Sequence, residues 1–404
     1  MNERSSQRRI LELDVLRCLA ILLVLGSHRA IQFESKESEP FVSHAWMMVG
    51  WTGVDLFFVL SGFLVGGLIF VEINQTGRLD IPRFLLRRGL RIWPAYYFFL
   101  LVVSLMFVVG GTSLAGLVPS YFQVQNYFEQ QRYAAHTWSL AVEEHFYLLL
   151  PIVLSAGLAK ATPRTFAVVS LAIFGAAAMG RWFSTPGIPE IRTHLRVDSL
   201  WAGVWCAYLY YRQSPFFDRI MGAWRWLLIL SASMVCLAML LPWRTMGASL
   251  NLLGTLFPLV LSIAYACMLT GALGLAKDGG VRFAPLARLT KLAARMGVYS
   301  YSIYLWHIIG ARDTVKVLLD ETILYALPPL VRWGIGMAAY IALAYLVGEV
   351  TYRCIERPML RVRDKFVPRV PSSPTEVTLP PVEIQVASPR RSRALPVLVE
   401  LGRE

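Results

Sequence analysis

The stretch LDVLRCLAILLVLGSHRAI (13–31) decides the fold class, because it is long and apolar enough to cross a membrane as one helix. Arg17 and His28 interrupt it, and ionisable side chains inside such a segment are costly and rarely kept without a use. Eleven helical positions make about three turns, so both side chains lie on one face, about 16 Å apart along the axis. The alternative is an interfacial Arg and a His hydrogen-bonded to a neighbouring helix.

The composition is typical of a membrane protein. Of the 404 residues, 56% are hydrophobic and 16% are charged, against about 25% charged in globular domains. The net charge of +13 is dispersed over short loops, so we expect membrane lipids and phosphate-bearing ligands as partners, and no nucleic acid. The five cysteines form no CxxC motif or Cys/His cluster, so we expect neither a disulfide framework nor a metal site.

Hydropathy predicts an all-α fold, namely a polytopic membrane helical bundle of about ten transmembrane helices. Asp14, Arg17 and His28 interrupt the first apolar run, so we interpret it as a retained helix rather than a signal peptide. The hydrophobic windows lie at 12–32, 46–71, 94–110, 137–157, 166–183, 195–211, 226–243, 251–275, 297–311 and 328–353.

Lysine and arginine predict the orientation of the bundle. One set of connections holds 18 of these residues and the opposite set holds 6. We call the first set the basic side, and the positive-inside rule places it and both termini in the cytoplasm. The basic side comprises 1–10, 72–93, 158–165, 212–225 and 276–296, and the opposite connections are 33–45, 111–136, 184–194, 244–250 and 312–327.

The domain organisation is simple. None of these connections is long enough to form a separate globular domain, so 1–360 is predicted to be one integral-membrane domain. Residues 361–404 are rich in Pro and Ser and contain the basic run PRRSR (389–393). Such a composition predicts a disordered cytoplasmic tail.

Polar side chains in several windows lie at depths that suit a shared buried site. Ser139, Glu143 and Tyr147 recur every four residues, so they share one face, and Glu143 lies about 9 Å below the outer surface, near the depth of His28. Unrelated ion pairs, such as a local pair between Arg196 and Asp198, would give the same depths. Further substrate-site candidates are Asp55 and His307 nearer the midplane, and Arg196 and Asp198 in the outer third.

Four arginines precede the third window, in DIPRFLLRRGLRIWPAYY (80–97). Arg83, Arg87 and Arg91 repeat every four residues and form one cationic face, with Arg88 beside it. Guanidinium groups so arranged bind phosphate oxygens bidentately, although an ordinary positive-inside flank that binds lipid headgroups would look the same. The sequence contains no GxxxxGK[ST], which argues against an ATP-driven machine. It also contains no GxSxG nucleophile elbow.

These motifs together resemble the membrane acyltransferase 3 family of bacterial O-acyltransferases. The resemblance spans about residues 1–360, and its most specific parts are the spacing of Arg17 and His28 and the block WSLAVEEHFY (138–147). Relatives commonly have Gln where this chain has His145. The other matching segments are GVDLFFVLSGFL (53–64), RRGLRIWPAYY (87–97), RVDSLWAG (196–203), YSYSIYLWH (299–307) and IERP (355–358).

The resemblance implies transfer of an acyl group, usually acetyl from acetyl-CoA, to a hydroxyl of a cell-surface polysaccharide, lipid-linked glycan or glycosylated metabolite. It implies that His28 is the catalytic base, and that Arg17 and the region of Arg87 to Arg91 serve the acyl-CoA co-substrate. It also implies that Ser139, Glu143 and Tyr147 belong to the site. Some relatives carry an extracytoplasmic hydrolase-like domain, and since the sequence contains none, we expect the stand-alone type.

The chemistry agrees with this expectation. A neutral imidazole can take the proton of a sugar hydroxyl as it attacks a thioester, and a carboxylate such as Glu143 would orient the ring. Arg17 would bind the phosphate arm of CoA or the developing oxyanion. Direct transfer and an acyl-His intermediate both remain open. The alternatives are a proton-coupled secondary transporter or glycan exporter, which also needs intramembrane charges, and a structural membrane subunit.

Overall fold

The computed structural model describes residues 10–28, 33, 39–129, 131, 133–184, 191–240, 251–281, 284–319 and 327–368. All regular secondary structure in these ranges is helical, which confirms the predicted all-α class for them. Two π-helical segments, His307–Asp313 and Tyr352–Glu356, interrupt the last third of the chain. The α-helices are α1 Leu11–Ser27, α2 Phe41–Gly50, α3 Gly53–Thr76, α4 Ile81–Val109, α5 Val118–Tyr121, α6 Trp138–Ser155, α7 Pro163–Trp182, α8 Thr193–Tyr211, α9 Pro215–Gly222, α10 Trp224–Leu240, α11 Asn251–Lys277, α12 Ala284–Val298, α13 Ser300–Trp306, α14 Thr314–Leu319, α15 Pro329–Thr351 and α16 Arg357–Phe366.

Several of these helices are long and apolar enough to cross a membrane. By length and composition the described residues contain 5 such spans, or 6 if α9 and α10, which meet at a bend of 74°, are counted as one. α1, α6, α8 and α13, which correspond to four of the predicted windows, are shorter or more polar. The coarse prediction of a membrane helical bundle is therefore supported. The 5 spans are Phe41–Thr76, Ile81–Val109, Pro163–Trp182, Thr255–Lys277 and Pro329–Phe366.

Local sequence sets the ends of the helix that carries the arginines. Gly77 ends α3 in the left-handed region, with φ at 79°, where a residue without a Cβ is favoured. Asp80 then caps α4, because its side chain accepts a hydrogen bond from the backbone N–H of Arg83 at 3.1 Å. The arginines of 83–91 consequently lie on the first turns of a long helix, at its basic-side end.

The crossing of α3 and α8 forms the centre of the bundle. A Cβ added to Gly62 would lie 1.8 Å from the carbonyl oxygen of Leu200, and one added to Gly203 would lie 2.0 Å from that of Val59. The two backbones can approach so closely only because both positions are glycine. Gly62 and Gly66 form a GxxxG sequence, and its first glycine serves helix packing here.

The predicted outer connection 111–136 packs against the bundle. It forms short helical turns, and Gln125 in one of them is only 4% exposed. The amide nitrogen of Gln125 donates to the carbonyl of Thr137 at 2.9 Å and to the hydroxyl of Tyr96, in the middle of α4, at 3.2 Å. The end of this connection therefore reaches the interior of the bundle, where it positions His136.

The predicted domain boundary after residue 360 falls inside a helix. α16 continues to Phe366, and Arg87 of α4 forms an ion pair of 3.1 Å with Asp364 near its end. Residues 369–404, which make up most of the predicted disordered tail, lie outside the described residues.

Candidate active site

A cavity of about 1660 Å³ enters the bundle from the basic side. Its mouth is lined by residues of the basic-side connections, among them Gln75, Lys277 and Lys291, and by Arg363 of α16. Its inner end is lined by Ser139 and Tyr304. The cavity therefore leads from the basic surface towards the buried ends of α6 and α13.

Five arginines line this cavity: Arg212, Arg363 and three that the sequence analysis singled out, Arg17, Arg88 and Arg91. Arg17 pairs with Asp14 on the same helix at 3.1 Å, and its side chain is 22% exposed. Within the described residues, Arg91 makes no hydrogen bond or ion pair, and it is exposed to the cavity. Its guanidinium is the group best placed to bind an anionic ligand there.

The predicted cationic face of Arg83, Arg87 and Arg91 is divided by the tertiary structure. Arg83 pairs with Glu72 of α3 at 2.6 Å, and Arg87 bonds to Asp364 and to the carbonyl of Val367. Neither lines the cavity, whereas Arg88 and Arg91 do. The orientation of α4 about its axis therefore directs Arg88 and Arg91 towards the cavity. Arg83 and Arg87 are held outside it by the acidic side chains with which they pair.

Tyr147 connects Arg88 with the predicted catalytic carboxylate. Its hydroxyl donates to Glu143, lies 2.5 Å from the hydroxyl of Ser61 and accepts from the guanidinium of Arg88 at 2.5 Å. The same guanidinium lies 4.0 Å from the centre of the Tyr147 ring. Glu143 and Tyr147 therefore lie together, as their spacing predicted. They lie beside Arg88, in the part of the cavity that the arginines line.

The sequence analysis missed several carboxylates that line the cavity, among them Glu144 and Glu356. Glu144 accepts a hydrogen bond from the indole of Trp93 at 3.2 Å, and Glu356 accepts one from the hydroxyl of Ser302. The sequence signal was present, because Glu144 is the second glutamate of WSLAVEEHFY and Glu356 lies in IERP. Two such groups limit the positive charge that the arginines bring to the cavity.

Tyr304 closes the inner end of the cavity. Its hydroxyl lies 2.7 Å from that of Ser139 and donates to the backbone carbonyl of His136 at 2.5 Å. Its ring centre lies 5.6 Å from that of His307. One aromatic side chain therefore separates the cavity from the residues beyond it.

Three histidines lie beyond Tyr304. The ring centres of His28 and His307 are 4.8 Å apart, and those of His307 and His136 are 4.9 Å apart. His307 and His136 are 0% and 5% exposed. The structure thus brings together two candidates from the sequence, His28 and His307, and adds His136. The sequence signal that could have identified His136 is its position three residues before Ser139.

The structure does not bring Glu143 next to His28. The imidazole Nδ1 of His28 lies 3.1 Å from the carbonyl oxygen of Val24 and 3.0 Å from the hydroxyl of Ser27. Glu143 is engaged with Tyr147, one turn of α6 beyond Ser139 on the arginine side. A backbone carbonyl, rather than the expected carboxylate, orients the proposed base.

Asp55, Arg196 and Asp198 form ion pairs inside the bundle, away from the lining of the cavity. Arg196 binds Asp55 at 2.6 Å, and Asp198 binds Arg181 of α7 at 2.8 Å. All four side chains are at most 3% exposed. The local pair between Arg196 and Asp198, which the sequence left open, is replaced by two pairs that join different helices.

Comparison with known proteins identifies the family of the chain. The chain matches the family model described as an acyltransferase domain over residues 10–349. It is 32% identical over 190 residues to O-acetyltransferase OatA of Staphylococcus aureus strain NCTC 8325 / PS 47, and equally to the protein of the same name in strain COL. Each alignment covers 42% of this chain and 29% of the relative. The chain spans less than a third of the length of these curated relatives. No solved structure matches it. Because the family model covers far more than half of its residues, the chain belongs to the acyltransferase 3 family.

Proposed function

We propose that the protein transfers an acyl group such as acetyl from acyl-CoA to a hydroxyl of a carbohydrate acceptor at the bacterial inner membrane. One observation carries this proposal. One cavity leads from a mouth on the basic side, past Arg88, Arg91 and Arg17, to an aromatic side chain whose ring lies 5.6 Å from a buried histidine. A donor with phosphates at one end and a thioester at the other matches such a cavity.

The donor enters from the cytoplasm in this proposal. The mouth of the cavity is lined by the connections that carry most of the Lys and Arg residues, and the positive-inside rule assigns these to the cytoplasm. The same assignment places both termini in the cytoplasm, with about ten crossings as the hydropathy windows predict. The CoA phosphates then lie near Arg91 and Arg88, and Arg17 binds the pantetheine arm or the thioester oxygen further in.

His28 acts as the general base. A carbonyl oxygen can only accept, so the contact between Nδ1 of His28 and the carbonyl of Val24 at 3.1 Å places the ring proton on Nδ1. The other ring nitrogen, Nε2, then carries the free lone pair that takes the proton of the acceptor hydroxyl. General-base catalysis of this kind contributes about 10²- to 10⁴-fold to the rate.

The test is acyl transfer by the purified protein in nanodiscs, with labelled acetyl-CoA and membrane glycans from the same cells. We expect label in the glycan fraction from the wild type and a loss of about 100-fold or more with His28→Ala. Donor binding, measured separately by calorimetry, should be unchanged in that variant.

Two outcomes would overturn the proposal. One is wild-type transfer by His28→Ala. The other is movement of glycan across the bilayer without covalent change, which would indicate the transporter or exporter. Mass spectrometry of surface glycans from cells with and without the intact gene would identify the acceptor and the acyl group together.

A further inference from the structure

Each of the three histidines donates its ring proton to a backbone carbonyl. Nδ1 of His28 lies 3.1 Å from the carbonyl of Val24, Nδ1 of His307 lies 2.6 Å from that of Tyr304, and Nε2 of His136 lies 3.1 Å from that of Leu305. Because carbonyl oxygens only accept, these contacts define the tautomer of each neutral ring. Every ring is therefore left with one nitrogen that can only accept.

Two of these accepting nitrogens are buried. Nε2 of His307 and Nδ1 of His136 have no hydrogen-bond partner among the described residues. A buried polar atom without a partner costs about 1–3 kcal/mol and calls for an explanation. A proton donor that forms only during the reaction would satisfy such a nitrogen.

The charges around the histidines supply no alternative partner for a protonated ring. Arg312, on the π-helical segment that begins at His307, interacts electrostatically with all three rings. The histidines also interact with one another. Within the described residues, the hydrogen bonds of the three rings involve backbone carbonyls and the Ser27 hydroxyl, and none involves a carboxylate. A positive charge that forms on His28 must therefore be stabilised by something other than the carboxylate of a catalytic triad.

We propose that His307 is the positioning residue for His28, with its Nε2 accepting the N–H that His28 acquires when it deprotonates the acceptor hydroxyl. A ring nitrogen lies about 1.1 Å from its ring centre, so an N–H···N bond of about 2.9 Å places the ring centres about 5 Å apart. The observed separation of His28 and His307 is 4.8 Å. The two rings must turn so that their nitrogens face each other for the bond to form, and the ring of His136 packs against that of His307 with centres 4.9 Å apart.

This inference rests on the proposed function, and its steps balance as follows. The acceptor oxygen bonds to the thioester carbonyl carbon as its proton passes to Nε2 of His28. His307 accepts the new N–H as a hydrogen bond and stabilises the imidazolium. The C–S bond then breaks, and the proton passes to the CoA sulfur, so that the products are the ester and the free thiol, with both rings neutral again.

The test compares His307→Leu, which removes the accepting nitrogen, with His307→Gln, whose amide oxygen replaces it. We expect kcat to fall about tenfold or more in the Leu variant while the KM for acetyl-CoA stays constant. We also expect the solvent deuterium isotope effect on kcat to rise, because proton transfer becomes slower. The Gln variant should recover most of kcat. His194→Gln, at an exposed histidine whose ring stacks on that of Tyr127, is the matched control and should equal the wild type.

The outcomes separate this inference from the proposed function. If the wild type transfers no acyl group from acyl-CoA, the proposed function itself is wrong. If the wild type is active and His28→Ala is not, but His307→Leu matches the wild type, the role of His307 is wrong. Equal losses in the Leu and Gln variants with an unchanged isotope effect would indicate that His307 only packs, and would also overturn the inference.

Discussion

His28 and His307 lie edge to face with ring centres 4.8 Å apart, although they belong to the first helix and to the last third of the chain. α13 and the π-helical segment that follows it carry Tyr304 and His307 to the outer end of α1. π-helical segments are rare and frequently occur at functional sites. The contact of these two rings therefore joins the proposed base to the inner end of the donor cavity.

Arg91→Gln should weaken the binding of CoA. Arg91 lines the cavity and makes no ion pair within the described residues, so its charge is available to a phosphate. Loss of one charge-assisted contact should reduce affinity about tenfold or more, measured by isothermal titration with CoA. Arg83→Gln is the comparison, because Arg83 pairs with Glu72 outside the cavity lining. Equal losses in the two variants would support the continuous cationic face predicted from the sequence instead.

Tyr304→Phe should make the enzyme hydrolyse acetyl-CoA in the absence of an acceptor. The change keeps the ring but removes hydrogen bonds to Ser139 and to the carbonyl of His136, which close the cavity. We expect the rate of thiol release to rise about two- to tenfold, in line with one or two lost hydrogen bonds. Tyr265→Phe is the control, because Tyr265 is also buried and its hydroxyl lies 2.5 Å from the hydroxyl of Thr52. An unchanged rate in Tyr304→Phe would show that this side chain does not close the cavity.

Asp55→Asn should destabilise the bundle, because it leaves the buried guanidinium of Arg196 without its counter-charge. Removing one partner of a buried ion pair costs about 3–5 kcal/mol. Thermal unfolding in detergent measures the loss of stability. The control is Asp218→Asn, which breaks the half-exposed pair with Lys277 and should lower the stability by at most about 1 kcal/mol. A fully stable Asp55→Asn variant with weakened acceptor binding would instead assign Asp55 to the substrate site, as the sequence analysis allowed.

Gly62→Ala should lower the thermal stability. The added Cβ would meet the carbonyl oxygen of Leu200 at 1.8 Å, so α3 and α8 must move apart. Overpacking of this kind costs about 1–3 kcal/mol. Gly175→Ala is the control, because no atom lies within 4 Å of its added Cβ, and alanine should stabilise α7 by about 0.5–1 kcal/mol. The same unfolding midpoint for both variants would contradict the close crossing.

Helix class, membrane environment and the groups that share one helix face followed from the sequence. The apolar stretch 13–31 predicted a membrane helix, and the spacing in WSLAVEEHFY placed Glu143 and Tyr147 on one face, where the structure joins them by a hydrogen bond. Such relations depend only on the rise and turn of one helix, which are the same in every protein. The family resemblance, carried by motifs in a fixed order, was confirmed over residues 10–349.

Only the tertiary structure decided which helix face meets which neighbour. It separated Arg83 and Arg87 from Arg91, paired Asp55 with Arg196, and placed Glu143 with Arg88 rather than with His28. It also brought His136, from a connection expected outside the membrane, next to His307. In an almost uniformly apolar helix the periodicity of the sequence does not reveal which face is buried in protein and which meets lipid. That choice is made by the packing of distant segments, such as the close crossing at Gly62 and Gly203, and it determines which polar groups share a site.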